Sequence, residues 1–324
     1  MTDRRAFIGG VAASILAPPS MAFAQPRTKV WRIGTLASVD GTGWDAFRQA
    51  LLDLGYAEGR NIAIESRRAQ GRPERFPELA AELVALGADV IVTSSTQASL
   101  AVKRATGTIP IVMAISAYPD KIGLVESLAR PGGNVTGFTN VAPQLSGKRL
   151  ELLKQMAPKA SRLAAMWDPS SQIEAFAFPD LKAIAAAAGL EILSIEVRQP
   201  EQYAAAFAAA IAGRADVMHA TGNPISFANS KLIADFALGN QLPSIFDSRL
   251  FVDAGGLLSY GPDLVDLFKR AAGYVDKIFK GAKPGELPVQ QPTKFELVVN
   301  ARSAKALNLA MPSEMLLRAD EVIQ

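Results

Sequence analysis

Short apolar runs alternate with amphipathic stretches of helical spacing, in two successive series, and this pattern limits the fold more than any other feature of the chain. In the first series the runs at 30–36, 62–65, 90–93 and 109–114 flank helix-like stretches at 44–54, 76–86 and 97–105. Gly55 and Gly87 stand where helix C-caps belong. The second series begins after Pro143, with apolar runs at 162–167, 191–195, 217–220 and 244–246 and helices near 147–156, 173–188, 201–212 and 226–238. Such alternation is the signature of parallel strands joined by crossover helices. The expected class is therefore α/β, with two doubly wound parallel-sheet lobes side by side.

The remaining segment, 256–324, offers a long helix at 262–279 with proline in its first turn and Gly281 beyond its end. A Pro/Gly-rich stretch at 281–292, an apolar run at 295–299 and a short helix at 303–307 follow. This reads as a chain returning to tie both lobes together. We expect residues 25–143 plus about 257–287 in lobe 1, and 144–256 plus about 288–324 in lobe 2.

Residues 1–24 read as an address. Arg4-Arg5 precede the apolar run 6–16, and Ala22-Phe23-Ala24 supply a small-residue cleavage site before Gln25. The run is shorter than the roughly 20 residues that span a bilayer, so export without membrane insertion is expected, with cleavage after Ala24. Arg4-Arg5 followed by Ala6-Phe7-Ile8 resembles a twin-arginine signal, with Asp3 where Ser or Thr is usual.

Composition narrows the chemistry. The chain has 324 residues and no cysteine, which excludes disulfides, thiolate nucleophiles and iron–sulfur clusters. A formal net charge of +3 exerts little pull on a polyanion, so no nucleic-acid partner is expected. A single histidine, His219, lies in an apolar strand and reads as a buried, satisfied side chain rather than a zinc ligand or general base. The chain contains neither a Gly-x-Ser-x-Gly elbow nor a phosphate-binding loop of the Gly-x4-Gly-Lys type. The glycines of 130–134 follow a helix and read as a C-cap and turn. Binding without chemistry fits these residues, with no catalytic residue, metal or cofactor.

In open parallel sheets, ligands bind beyond the carboxyl ends of the strands, where loops enter helix N-termini. Lobe 1 offers Ser38, Asp40, Thr42 and Trp44 there, then Ser94-Ser95-Thr96, then Ser116, Tyr118 and Asp120. Lobe 2 offers Trp167, Asp168 and Ser171, then Asn223, then Phe246, Asp247 and Arg249, with Tyr260 at a hinge position. Each hydroxyl or Asx residue before a helix has helix capping as its ordinary role. Three consecutive hydroxyl residues at 94–96 exceed what one cap needs. The two tryptophans suit either ligand stacking or core packing, and Arg249 either a ligand anion or an ion pair with Asp247 or Asp253. Lys148-Arg149 reads as a solvated helix face.

Several stretches resemble the ABC-transporter substrate-binding protein family, whose members include tryptophan- and tyrosine-type binding proteins. They are 54–61 (Leu-Gly-Tyr-Ala-Glu-Gly-Arg-Asn), 78–83, 123–125, 131–137 (Pro-Gly-Gly-Asn-Val-Thr-Gly) and 147–153 (Gly-Lys-Arg-Leu-Glu-Leu-Leu). The resemblance continues through 254–257, 259–261, 291–297 and 318–323. It implies a type I periplasmic binding protein that closes on a small molecule by hinge motion. Its partners would be a permease and a cytoplasmic ATPase, and the monomer is the simplest state for such docking. A family member often carries Asp-Pro after the fourth strand; here Tyr118-Pro119 precedes Asp120, which favours an aromatic or other organic acid over an amino acid. A ligand sensor for a membrane receptor kinase, and further off a periplasmic hydrolase using Asp40 and Asp120, are the rival readings.

Overall fold

The computed structural model describes residues 29–324; the expected signal segment 1–24 lies outside them. The first lobe runs β1 (Trp31–Ala37), α1 (Thr42–Asp53), β2 (Ile62–Arg68), α2 (Phe76–Ala85), β3 (Val90–Thr93), α3 (Thr96–Ala105), β4 (Ile111–Met113) and β5 (Val135–Gly137). All pairings in this sheet are parallel, in the order β2-β1-β3-β4-β5. Every residue of β3, β4 and β5 is buried, because helices cover both faces.

The second lobe repeats the plan with α4 (Ser146–Met156), β6 (Arg162–Trp167), α5 (Gln172–Ala187), β7 (Glu191–Glu196), α6 (Tyr203–Ala212) and β8 (Val217–Ala220). It continues with α7 (Pro224–Ala228), α8 (Ser230–Gly239), β9 (Ser244–Phe246), α9 (Arg249–Asp253) and β10 (Leu258–Pro262). Its sheet order, β12-β11-β10-β9-β8-β6-β7, holds the same arrangement with two further strands at one edge. Those strands, β11 (Phe295–Asn300) and β12 (Glu321–Ile323), come from the end of the chain, after α10 (Leu264–Phe279) and around α11 (Ala301–Ala306) and α12 (Ser313–Arg318). β11 runs antiparallel to β10 and parallel to β12.

Three expectations are corrected here. Residues 257–262 were expected in lobe 1 as the approach to a helix; they form β10, which pairs with β9 and β11 in the second sheet. Pro262 ends that strand, where its missing N–H costs no ladder bond, and Asp263 caps α10 by accepting from the Asp266 amide at 2.9 Å. The stretch 226–238 is two helices, broken at Asn229, whose side chain donates back to the Ile225 carbonyl at 2.8 Å.

Helix α10 belongs to the first lobe although it follows β10. Its Leu267, Phe268, Ala271 and Val275 join Trp44, Phe47 and Leu51 of α1 in one buried cluster on the face of the first sheet. The chain therefore crosses between lobes three times: after β5, between β10 and α10, and between Gln290, which bridges to Phe138 of the first lobe, and β11. Residues 288–290, expected in lobe 2, still lie against the first. Among the described residues no helix is long and apolar enough to cross a membrane.

At Gly137, where β5 ends, φ is +128° and an added Cβ would sit 2.2 Å from the Met113 carbonyl oxygen. Neither strain can relax without unpairing β4 from β5. Gly137→Ala should lower unfolding free energy by about 2 kcal/mol or more, measured by urea denaturation; an unchanged midpoint would refute this account.

Candidate functional site

Both sheets have the order 2-1-3-4-5, which places a topological switch point between β1 and β3 and another between β6 and β8. Ligand-binding loops sit at the carboxyl ends beside such points. Here those loops, 38–44 and 94–97 in one lobe and 167–171 and 221–224 in the other, face each other across the interlobe cleft. The lobes touch around it. Ser38 Oγ donates to the Pro224 carbonyl at 2.6 Å, Gln97 Nε2 to Ser171 Oγ at 3.4 Å, and Arg72 pairs with Glu201 at 2.7 Å. Tyr118 meets Phe176 edge-on at 5.2 Å, with the tyrosine backbone in the left-handed region at φ +47°.

Two adjoining cavities lie inside. The inner one, about 100 Å³, exceeds many times the roughly 10–15 Å³ that a single water requires. It takes in Ser94, Ser95, Thr96, Trp167, Ser171, Asn223 and Asp247 of the expected set. The outer one, about 210 Å³, takes in Ser38, Asp40, Thr42, Trp44 and Arg249 and shares Ser94 and Ser95 with the first. Six expected residues line neither cavity. Phe246 stacks on Phe251 in the core, 4.6 Å between ring centroids. Asp168 is buried and turned to the Ser170 amide and hydroxyl, and Ser116 to Thr96. Tyr118 sits at the interlobe contact, Asp120 in the turn beyond it, and Tyr260 in β10 contributes its backbone.

Most hydroxyls also do the capping work that their positions suggest. Ser95 and Ser171 accept from the amides of Ala98 and Glu174, Asn223 forms a capping box with Ser226, and Thr96 Oγ1 accepts from the Ala117 amide. Ser94 makes no side-chain hydrogen bond among the described residues and lines both cavities. Trp44 is buried against Phe47 and Phe268 while one edge lines the outer cavity. Trp167 stacks on Phe178 at 4.0 Å and donates to Ser194, so a flat aromatic wall flanks the inner cavity. Arg249 is not paired with Asp247; it joins Asp253, Glu296 and Glu321, and so ties α9 to the edge strands β11 and β12.

The inner cavity's charges were mostly missed. Arg149, expected on a solvated face, is 2% exposed. Its Nε donates to the Tyr260 carbonyl and its Nη1 to the Ala142 carbonyl, each at 2.7 Å, and its Nη2 is buried without a partner. Asp247 accepts from the Gly222 amide through Oδ2, whereas Oδ1 is buried and unpaired. His219 is buried and its Nδ1 lies 2.9 Å from the Ile245 carbonyl, which requires the proton on Nδ1 and leaves Nε2 an acceptor. Burial, and then the nearby Arg149 charge, push its pKa down to about 4, so the ring is neutral. Glu174 accepts from Thr221, the Asp168 amide at 2.9 Å and Asn223 at 3.0 Å. These bonds fix the 221–223 loop.

Burial pushes the Glu174 carboxyl up to about 7, outweighing the hydrogen bonds that favour its ionised form. An acid whose folded pKa is raised binds extra protons on folding between its ordinary value and the raised one. Its contribution to stability is therefore complete below about pH 4.5 and lost as pH rises through about 7. Glu174→Gln should flatten the fall in stability across that window by about 3 kcal/mol, read from urea unfolding at pH 4.5 and 8. Glu296, raised to about 7 chiefly by burial, contributes in the same direction and remains. A wild-type profile flat across the window would contradict the assignment.

Among the described residues no group of three or more His, Cys, Asp or Glu side chains is placed to hold a metal. The site offers buried hydrogen-bonding and charged groups beside an aromatic wall, between two lobes of the type I periplasmic binding fold expected from the sequence. Comparison with known proteins agrees. A tyrosine-binding protein of Clostridioides difficile (strain R20291) is 28% identical over 263 residues, 81% of this chain and 75% of the relative. An ABC domain from Streptococcus pneumoniae, solved in complex with L-Trp, matches with TM-score 0.81 and 26% identity over 91% of this chain and all of that one. A ligand-free, open substrate-binding protein with adhesive properties from Clostridium difficile has the same identity and coverage but a TM-score of 0.64. The profile of the family described as ABC transporter substrate binding protein matches residues 34–323, and this chain belongs to that family.

Proposed function

We propose that this protein is the exported solute-binding component of an ABC importer. It closes its lobes on a small organic acid or amino acid and presents the closed form to a permease coupled to a cytoplasmic ATPase. The observation that carries this reading is a cavity between the lobes, lined by residues of both, whose lining residues carry two unpaired buried polar atoms, Arg149 Nη2 and Asp247 Oδ1. Leaving such atoms unsatisfied costs about 1–3 kcal/mol each, so the closed form calls for a bound molecule with both an acceptor and a donor. Tryptophan and tyrosine, named for two of the relatives, have these groups and an aromatic part to set against Trp167 and Phe178. Closure takes its specificity from contacts with both lobes, since a ligand shifts the equilibrium only by its preference for one state. The permease receives the solute unchanged.

A thermal-shift and calorimetric screen of L-tryptophan, L-tyrosine, L-leucine, benzoate and a hexose tests this reading, with scattering to follow compaction. A ligand at 100 times Kd should stabilise the protein by about 2.7 kcal/mol and reduce the radius of gyration. Ser38→Ala removes an interlobe hydrogen bond and should weaken apparent affinity about fivefold by disfavouring the closed form; because Ser38 Oγ also accepts from the buried Gly71 amide at 3.1 Å, the unliganded melting temperature should fall as well. Binding without compaction, or turnover of the bound solute, would contradict this function.

A further inference from the structure

Arg149 connects two things that a binding protein must keep in step. Arg149 is one of the residues lining the inner cavity, and its Nη2 is buried and unpaired. The other two donating nitrogens hold backbone carbonyls of the chain where it passes between lobes. Ala142 lies in the first crossing, and Tyr260 stands two residues before β10 ends at the second. Beside Ala142, Val141 is held at φ +39°, a conformation that a β-branched residue adopts only when its surroundings impose it. Asn140, in the same crossing, and Pro262, at the second, also line this cavity.

Nothing else in the cavity satisfies the guanidinium. No carboxylate lies within 4.0 Å of it among the described residues and His219 beside it is neutral; the Asp247 charge favours the guanidinium from a distance but makes no hydrogen bond to it, its Oδ2 being turned to the Gly222 amide. A planar guanidinium with two nitrogens fixed has its third direction fixed as well, so the vacant donor cannot rotate to another partner. Gly222 keeps the neighbouring space open: a Cβ there would lie 2.5 Å from Asp247 Oδ1.

We propose that Arg149 couples cleft occupancy to the hinge, donating through Nη2 to an anionic oxygen of the solute, a carboxylate, while Nε and Nη1 set the first two crossings. The solute's carboxylate and the two crossing carbonyls then share one rigid fork. The inference rests on the function proposed above and adds where the charge of the solute lies and how its arrival reaches the hinge. Arg149 is a specificity and positioning residue.

Because the chain has no cysteine, two introduced thiols, E78C on α2 and A205C on α6, can be spin-labelled to report the interlobe distance. The probes are L-tryptophan, L-tyrosine and benzoate, each against its neutral carboxamide. In the otherwise wild-type protein the acids should bind about tenfold or more tightly than the amides, and the acids should narrow the distance distribution. Arg149→Gln should bind acid and amide alike, with the distribution broad whether or not solute is present. Arg149→Lys should keep the preference for acid but not the narrowing, because one ammonium cannot hold the fixed three-way geometry. Equal weakening of acid and amide in both variants, with preference and narrowing intact, would reduce Arg149 to scaffolding and overturn the proposal. Equal binding of acids and amides by the wild-type residue, with closure, would also overturn it while leaving the proposed function in place. That comparison needs no variant to fold. Binding without any narrowing would instead remove the proposed function, and the coupling with it.

Discussion

A buried positive charge with no carboxylate in ion-pair contact is expensive, and at Arg149 two backbone carbonyls, with the Asp247 charge at longer range, offset that expense. The arrangement demands that α4, the first crossing and the end of β10 meet at one point, because Ala142, Arg149 and Tyr260 come from those three pieces. Much of the interlobe geometry follows from it. The cavity floor is formed where the crossings converge, and the loops after β3, β6 and β8 are arranged around that floor. Burial also keeps His219 neutral beside the guanidinium, so the cavity's net charge is set by Arg149, Asp247 and the titration of Glu174.

The repeated strand order explains why two lobes with no evident sequence repeat make one site. Each sheet turns its switch point to the cleft, and each contributes a short polar loop capped onto a helix. The capping reading and the ligand reading of those loops are not rivals in this fold. Ser95, Ser171 and Asn223 spend side-chain acceptors on amides and thereby hold their loops still, and the cavity forms against loops already fixed.

Legibility in the sequence followed burial. β6, β8 and β9 have the bounds that their apolar runs suggest, because parallel strands with buried interiors read as continuous apolar stretches. β5 follows the turn residues Gly132-Gly133-Asn134 and β12 begins in the charged stretch 318–321, so neither stands out as an apolar run, and β10 ends in Gly261-Pro262, a pair that resembles a helix start. The cleft loops were recognisable from switch-point logic, yet the charges inside the cavity were not. Arg149 was hidden beside Lys148 in a polar-looking triplet, although it stands four and seven residues before Leu153 and Met156, on the buried face of α4. That register was the available signal. Glu174 sits three residues after Ser171, the position of a common capping partner, so its spacing gave no sign that the carboxylate points inward to Thr221 and Asn223.

The threading of the chain also bears on how the protein is made. Trp44, Phe47 and Leu51 have no cover until α10 is synthesised more than two hundred residues later, and the second sheet lacks its edge strands until the chain has left that lobe and returned. Neither lobe is a contiguous stretch that can fold to completion as it emerges. Docking across such separations is slow because loop closure precedes the reward of contact. A nascent chain of this topology therefore spends its early life with an apolar sheet face open to solvent, and assembly of the two halves is one event rather than two.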